Sequence, residues 1–373
     1  MNLGINTSGF VSQIIPDVLL YQLDNEKLRS KILNKFHLHT VINLGDNIFS
    51  DVARASCIVI IGNHSKNTHY AFDLSKSKSK NIDEKYFSIL PSGFFNDLPN
   101  KVMSTRNFTG YKLLKRIEGD KLIQFCDKNG IQRGISPDYK NAFIVNSEII
   151  AKENLETDYL YPTLEGGRDI DMYYASKIDK QIIYTSRLND PKTIPNIIKH
   201  IDRYRDKITC KEVTQGKHPY WSLHRPREKD IFKPNKIIGV ITGDRIKVSI
   251  DMYGLFPTDG LFVFKSNNKY SNKFLVGLLN SSLITFLYRL ISMEENRALS
   301  QIKPSILEEI PIMNNFNPKL VNRIESEVTN IINKIKSSNY ELHNEIQKID
   351  QLVYELYGLT DEEIRVVEGE NKI

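Results

Sequence analysis

Cysteine is scarce in this chain of 373 residues: Cys57, Cys126 and Cys210 are far apart and odd in number. They give neither a disulfide framework nor a CxxC metal clip, so buried free thiols and no metal-ligand set are expected. There is no GxxxxGK[ST] loop, no HExxH pair and no PD-(D/E)xK pattern in a convincing strand context. P-loop nucleotide hydrolysis, zincin-type proteolysis and that class of nuclease chemistry lose their usual signatures. Long apolar runs are missing too. The longest, from Phe274 to Ile291, is interrupted by Asn280, Ser281, Ser282 and Arg289, short of the ~20 apolar residues of a membrane span. No basic segment followed by an apolar one opens the sequence, and a cytoplasmic location is the expectation.

What is present is an ordinary globular composition, 40% hydrophobic and 26% charged. The length exceeds the ~250 to 300 residues that one core sustains, so two or three domains are expected. The net charge of +6 says little by itself, but its distribution is uneven. Residues 171–250 hold 17 Lys or Arg against 9 Asp or Glu, whereas residues 301–373 hold 8 against 13. Within the basic stretch, Lys217, His218, Tyr220, Trp221, His224, Arg225, Arg227 and Lys229 fall together, with the only tryptophan among them. Cations interleaved with aromatics suit phosphate neutralisation and base stacking; they equally suit a solvated loop with one anchoring Trp.

Along the chain, residues 1–74 read as part of an α/β sheet. A strand ends at Pro16, Lys27 to Lys35 has helical spacing, Thr40 to Leu44 is a short strand and Cys57 to Ile61 (CIVII) suits a buried one. So few elements scarcely cover both faces of a parallel sheet, which implies further material on the N-terminal side or from a partner. Ser75 to Asn81 (SKSKSKN) reads as a linker. From 82 to 313 short strands and Gly-containing turns alternate, with helices expected over Pro195 to Asp206 and Asn272 to Ser292. Residues 314–373 read as helical. Leu320, Ile324, Val328, Ile331, Ile332 and Ile335 share one face, Ile346, Ile349, Leu352, Val353 and Leu356 another, Gly358 is a stop, and Thr360 with Glu363 forms a capping box. The fold class expected is α+β.

Taken in order, several segments resemble the C-terminal half of adenine-specific DNA methyltransferases of restriction-modification systems, particularly fused Type IIG enzymes and their TaqI-like specificity domain. GFVSQIIPDVLL, EKLRSKIL and VINLGDNIFSDVARASCIVIIG, within 9–62, look like the last strands of the methylase domain, which makes 1–74 the remnant of its sheet. GIQRGISPDYKNAFIV and YPTLEGGRDIDMYY, within 130–174, look like the opening of the specificity domain, assigned here to 82–313. Family members carry GI-x-TG-x-N-x-AF and then GRDI-x-x-Y. Gly134, Ile135, Asn141, Ala142, Phe143, Gly167, Arg168, Asp169, Ile170 and Tyr173 occupy those positions, and Ser136-Pro137-Asp138 departs from the Thr-Gly. The Trp221 to Arg227 stretch with KPNKIIG, then FLVGLLNSSL, EEIPI and IDQLVYELYGLTDEEI complete the resemblance.

The resemblance implies S-adenosyl-L-methionine for the family's catalytic part, and an Asn/Asp-Pro-Pro-Tyr/Phe element that receives a flipped adenine. None of the 14 prolines lies in such an element, and acceptors held at the amine are not replaceable by mere charge. VINLGDNIF falls at the late-sheet position, not the cofactor loop. The chain alone is therefore expected to be catalytically incompetent, with no catalytic residue and no cofactor of its own. The GRDID carboxylates are expected to be structural.

Reading duplex DNA takes phosphate contacts that position and base contacts that specify. Lys217, Lys229, Lys236, Arg245 and Lys247 are the candidates for phosphates. His224, Arg225 and Arg227, beside Tyr220 and Trp221, are those for base edges. Arg168 suits either role or an ion pair with Asp169 or Asp171. The leading expectation is a double-stranded DNA recognition module working with a catalytic methylase or nuclease-methylase chain. The alternatives are a methyltransferase with an unrecognised site, and a protein-interaction or RNA-binding factor derived from such a module.

Overall fold

The computed structural model describes all residues but 1–8, 51–53, 63–67, 76, 78, 82, 84–86, 104, 106–107, 293–300, 339–340 and 370–373. Residues 76 and 78 of the Ser/Lys segment and 51–53 of the methylase-like stretch thus lie outside the described residues. The chain forms two compact units, one built chiefly on residues up to Glu118 and the other on residues from Gly119 to Leu359 apart from 286–295. Among the described residues no single helix is long and apolar enough to cross a membrane.

The first unit holds a five-stranded sheet of β1 (Phe10–Pro16), β2 (His37–Gly45), β3 (Ser56–Gly62), β4 (Thr68–Asp73) and β5 (Phe87–Pro91), in the order β1-β3-β2-β4-β5. The CIVII run lies in β3, central and mostly buried. Only β2 and β4 run parallel; the other pairs are antiparallel. The sheet therefore departs from the parallel one expected, and antiparallel pairing relieves the need for helices on both faces. At its edge β1 leaves Phe10 and Ile14 about half exposed. The helix Glu26–Lys35 supplies Arg29, whose buried guanidinium donates to the carbonyls of Leu19, Gln22 and Asn100. Burial pulls its pKa down to about 10.

The Ser/Lys segment does not separate the units. Lys80 Nζ donates to the Leu74 and Ser75 carbonyls at 3.0 and 3.2 Å, Ser77 is buried, and β5 beyond it pairs with β4. The change of unit comes instead at Glu118–Gly119.

The second unit opens with β6 (Gly119–Lys121), which pairs with β15 (Pro311–Met313), the EEIPI element. Its main sheet takes β7 (Gln132–Arg133), β10 (Tyr173–Tyr174), β12 (Lys236–Val240), β13 (Val248–Asp251) and β14 (Leu261–Phe264) in the order β10-β13-β12-β14-β7. Every residue of β12, β13 and β14 is buried, the apolar ones in the core and the charged Lys236 and Asp251 as a pair. A small antiparallel sheet of β8 (Ile144–Val145), β9 (Leu160–Pro162) and β11 (Gln181–Ile183) shares this unit.

The long apolar segment is not one helix. Helix Asn272–Leu279 ends where Asn280 turns its side chain onto β13, donating to the Val248 carbonyl and accepting from the Val248 N–H, each at 2.9 Å. A second helix, Ser282–Ser292, starts where Asp350 accepts from the Ser282 N–H and hydroxyl. The helix expected to reach Asp206 stops at Asp202. Pro318–Lys336 and His343–Tyr357 form as their stripes predict, and Thr360 with Glu363 makes the capping box of Asp361–Glu368. Ile324 and Val328 pack on Asn272–Leu279 at Gly277, where a Cβ would stand 2.6 Å from Ile324.

Candidate nucleic-acid interface

The segment from Pro219 to Arg227 has little regular structure and is held from beneath. Trp221 is only 9% exposed and belongs to the core of the second unit with Leu223, Phe232 and Ile238. Its carbonyl accepts from the buried Thr185 hydroxyl. Trp221 is thus an anchor rather than a stacking platform, the bland reading of the lone Trp. Tyr220 stays accessible, with the Arg205 guanidinium 4.8 Å from its ring centre. Arg205, Lys217, His218 and Tyr220 line a groove of 660 Å³.

Arg225 is exposed, and its backbone bridges to Ser136, inside the Ser-Pro-Asp that replaces the family's Thr-Gly. The Ser136 hydroxyl donates to Asp259 at 2.8 Å, so the departure from the motif makes a tied turn beside Arg225. Arg227 lines a second cavity, of 520 Å³, with Gln132, Arg133, Gln301, Lys303 and Glu308. Its carbonyl accepts from Tyr184, and its buried Nε meets no hydrogen-bond partner among the described residues. A buried donor left so is costly unless water or a ligand meets it. Glu308 is held by the Ile131 N–H at 2.9 Å. Arg225 and Arg227 therefore run beside residues 132–136, and Arg133, Lys303 and Arg205 join the basic side chains that the linear cluster suggested. Only the fold brings Lys303 here, because it arrives from a separate stretch of chain.

Other candidates divide. Lys217 and Arg168 are exposed. Lys229 is exposed as a residue, but its ammonium donates to the Tyr161 hydroxyl at 2.7 Å and lies over the Tyr161 and Tyr184 rings. His224 is half-buried, its Nε2 2.9 Å from Glu212. Lys247 is part-buried and donates to the Gly167 carbonyl, and loss of water lowers its pKa. Arg245 donates to the Asn280 carbonyl at 2.7 Å. Lys236 has no exposed side chain at all. It is ion-paired with the equally buried Asp251 and donates to the Phe232 carbonyl. Lys236 cannot reach a phosphate; the sequence shows its charge but not its place in a central strand.

Of the two GRDID carboxylates, Asp169 is tied into the fold while Asp171 is exposed. Asp169 accepts from the Glu165 N–H and pairs with Lys180, which also reaches Glu165. Arg168 is free of neither role by sequence alone, but the ion pair of Asp169 is made with Lys180. Of the thiols, Cys57 and Cys126 are buried, and burial pushes both up to about 12. Cys210 is only half-buried, contrary to the expectation for all three. In the VINLGDNIF stretch, Gly45 has φ of +76°, and a Cβ there would lie 2.8 Å from the Ser75 Cα. Ser75 already fills that space, so the turn leaves no room for a side chain at this position.

Residues 167–312 match the model of the TaqI-like C-terminal specificity domain. A protein of Methanocaldococcus jannaschii named as a type II restriction enzyme and methyltransferase, RM.MjaORFECS2P, is 23% identical over 95% of this chain and 27% of its own length. The Type IIL restriction-modification enzyme MmeI, solved in complex with DNA, superposes with a TM-score of 0.60 at 13% identity, over 96% of this chain and 48% of its own. The Type IIG restriction endonuclease BpuSI aligns with a TM-score of only 0.39 at 13% identity, over 94% of this chain and 47% of its own. The chain thus spans about a quarter of that curated relative. The GRDI element, the tied segment after Trp221 and the EEIPI element all fall inside the range that is similar to the TaqI-like C-terminal specificity domain.

Proposed function

We propose that this chain reads the target sequence in duplex DNA for an adenine-specific restriction-modification methyltransferase, whose cofactor-binding and base-modifying residues lie in other polypeptide. The observation that carries the reading is the specificity-domain match over residues 167–312, within which Lys217 and Arg225 stand exposed around a buried Trp221 anchor. Arg225 and Arg227 serve base edges, because a guanidinium meets guanine with two hydrogen bonds in the major groove. Lys217 and Arg168 serve phosphates. S-adenosyl-L-methionine belongs to the catalytic partner, and the isolated chain transfers no methyl group.

The test is selection of duplexes from a randomised pool by the purified chain, alone and with a methylase partner, followed by titration of the enriched and scrambled duplexes. An enriched motif bound more tightly than its scrambled form is the expected result. Binding of neither duplex under either condition overturns the proposal, as does tight binding without any preference.

A further inference from the structure

We infer that Cys210, Glu212 and His224 form a zinc site that fastens together the two ends of the segment carrying Lys217, Tyr220 and Trp221. The thiol sulfur, a carboxylate oxygen and an imidazole nitrogen all lie within 4.8 Å of one another. Glu212 and His224 Nε2 are 2.9 Å apart. Tetrahedral zinc, with bonds of about 2.0 to 2.3 Å, holds its ligand atoms roughly 3.3 to 3.8 Å apart. Small side-chain rotations that part Glu212 from His224 and bring in the sulfur meet that requirement. Sulfur, nitrogen and oxygen donors together select a borderline divalent ion; calcium and magnesium take oxygen alone.

The backbone around the three donors is already fixed. Cys210 caps the short helix Lys211–Thr214, and its N–H donates to Asp138 at 2.8 Å, in the turn that Ser136 ties beside Arg225. The Glu212 carbonyl accepts from the N–H groups of Lys217 and His218. The His218 ring stands 5.9 Å from that of His224, with its Nε2 engaged by the Ser222 hydroxyl and the Leu223 carbonyl. It buttresses the ligand histidine instead of completing the set, and the fourth position falls to water. Zinc displaces the thiol proton to solvent as the Zn–S bond forms, and no electron is transferred. The chain between Glu212 and His224 becomes a closed loop, which fixes Arg225, the residue after the ligand, relative to the turn at Ser136.

The full chain, stripped with a chelator, is titrated with cobalt(II) as a spectroscopic probe and then with zinc. A thiolate-to-cobalt charge-transfer band that saturates at one equivalent and is bleached by zinc is the expected result. Cys210→Ser removes the band, and His224→Ala weakens zinc binding by more than about tenfold. A measurement that needs no variant accompanies these: stoichiometric zinc slows alkylation of Cys210, read peptide by peptide, by at least about tenfold. No band in the unmodified chain, a band that survives Cys210→Ser, or equal alkylation with and without zinc overturns the site. None of these readouts involves DNA, so their failure is distinct from failure of the proposed recognition function.

Discussion

Trp221 and Arg225 lie four residues apart in one segment, yet their side chains face different surroundings and their substitutions separate accordingly. Trp221 is part of the core, so Trp221→Ala is expected to cost about 3 to 5 kcal/mol of stability, read as a fall in the denaturant midpoint at unchanged slope. Arg225 is exposed. Arg225→Ala is expected to leave the midpoint within about 0.5 kcal/mol and to relax preference at one base pair by about 1 to 3 kcal/mol, whereas Lys217→Ala weakens specific and random duplexes alike. Competition binding with both duplexes distinguishes the two; equal losses in both variants would remove the division into base and phosphate contacts. Lys236 makes a third kind of case. Burial, only partly offset by Asp251, brings its pKa down to about 8 from an ordinary value of 10.5. Between those values the unfolded chain holds a proton that the folded chain has lost, so stability rises with pH through that window. Chemical denaturation at intervals from pH 7.5 to 10.5 is expected to show a Lys236-dependent rise, read as the difference between the native sequence and Lys236→Met, because the raised thiols Cys57 and Cys126 lower the stability of both above about pH 9.

At the level of elements, the sequence is most legible where periodicity reports packing directly. Ile324, Val328, Ile331 and Ile335 repeat at helical spacing and are all buried in Pro318–Lys336, and the β-branched run at Cys57 to Ile61 is a central strand. It is least legible where a tertiary partner decides. Asn280 looks like a tolerated polar residue in a helix, but its amide completes the main-chain bonding of Val248, a partner 32 positions away. Likewise SKSKSKN carries no sign that Lys80 folds back onto Leu74 and Ser75. The interface is half-legible for the same reason: the clustered cations are visible in one dimension, but Trp221 and Lys236 are withdrawn into the core, and Lys303 is added by the fold. Two substitutions examine these elements. Asn280→Leu strands the Val248 N–H and carbonyl and is expected to cost about 1 to 3 kcal/mol or more. Gly277→Ala, with its new methyl 2.6 Å from Ile324, is expected to cost about 1 to 3 kcal/mol. Thermal melts that leave either variant at the native midpoint would contradict the packing described.

For the molecule as a whole, if the chain reads DNA as proposed, the excess of positive charge in residues 171–250 predicts a binding strength governed by counterions. With Arg168 and Lys217 on phosphates, log K against log salt should fall with a slope of roughly −2, and Lys217→Ala should make it shallower by about 1. Titrations at several salt concentrations measure this, and a flat dependence would place those cations away from the duplex. The rim of the five-stranded sheet has a different consequence. With β1 at one end of the strand order and Phe10 and Ile14 turned outward, concentrated solutions of the isolated chain are prone to stick together strand against strand. Exchanging Ile14 for lysine should keep such preparations monodisperse in light scattering.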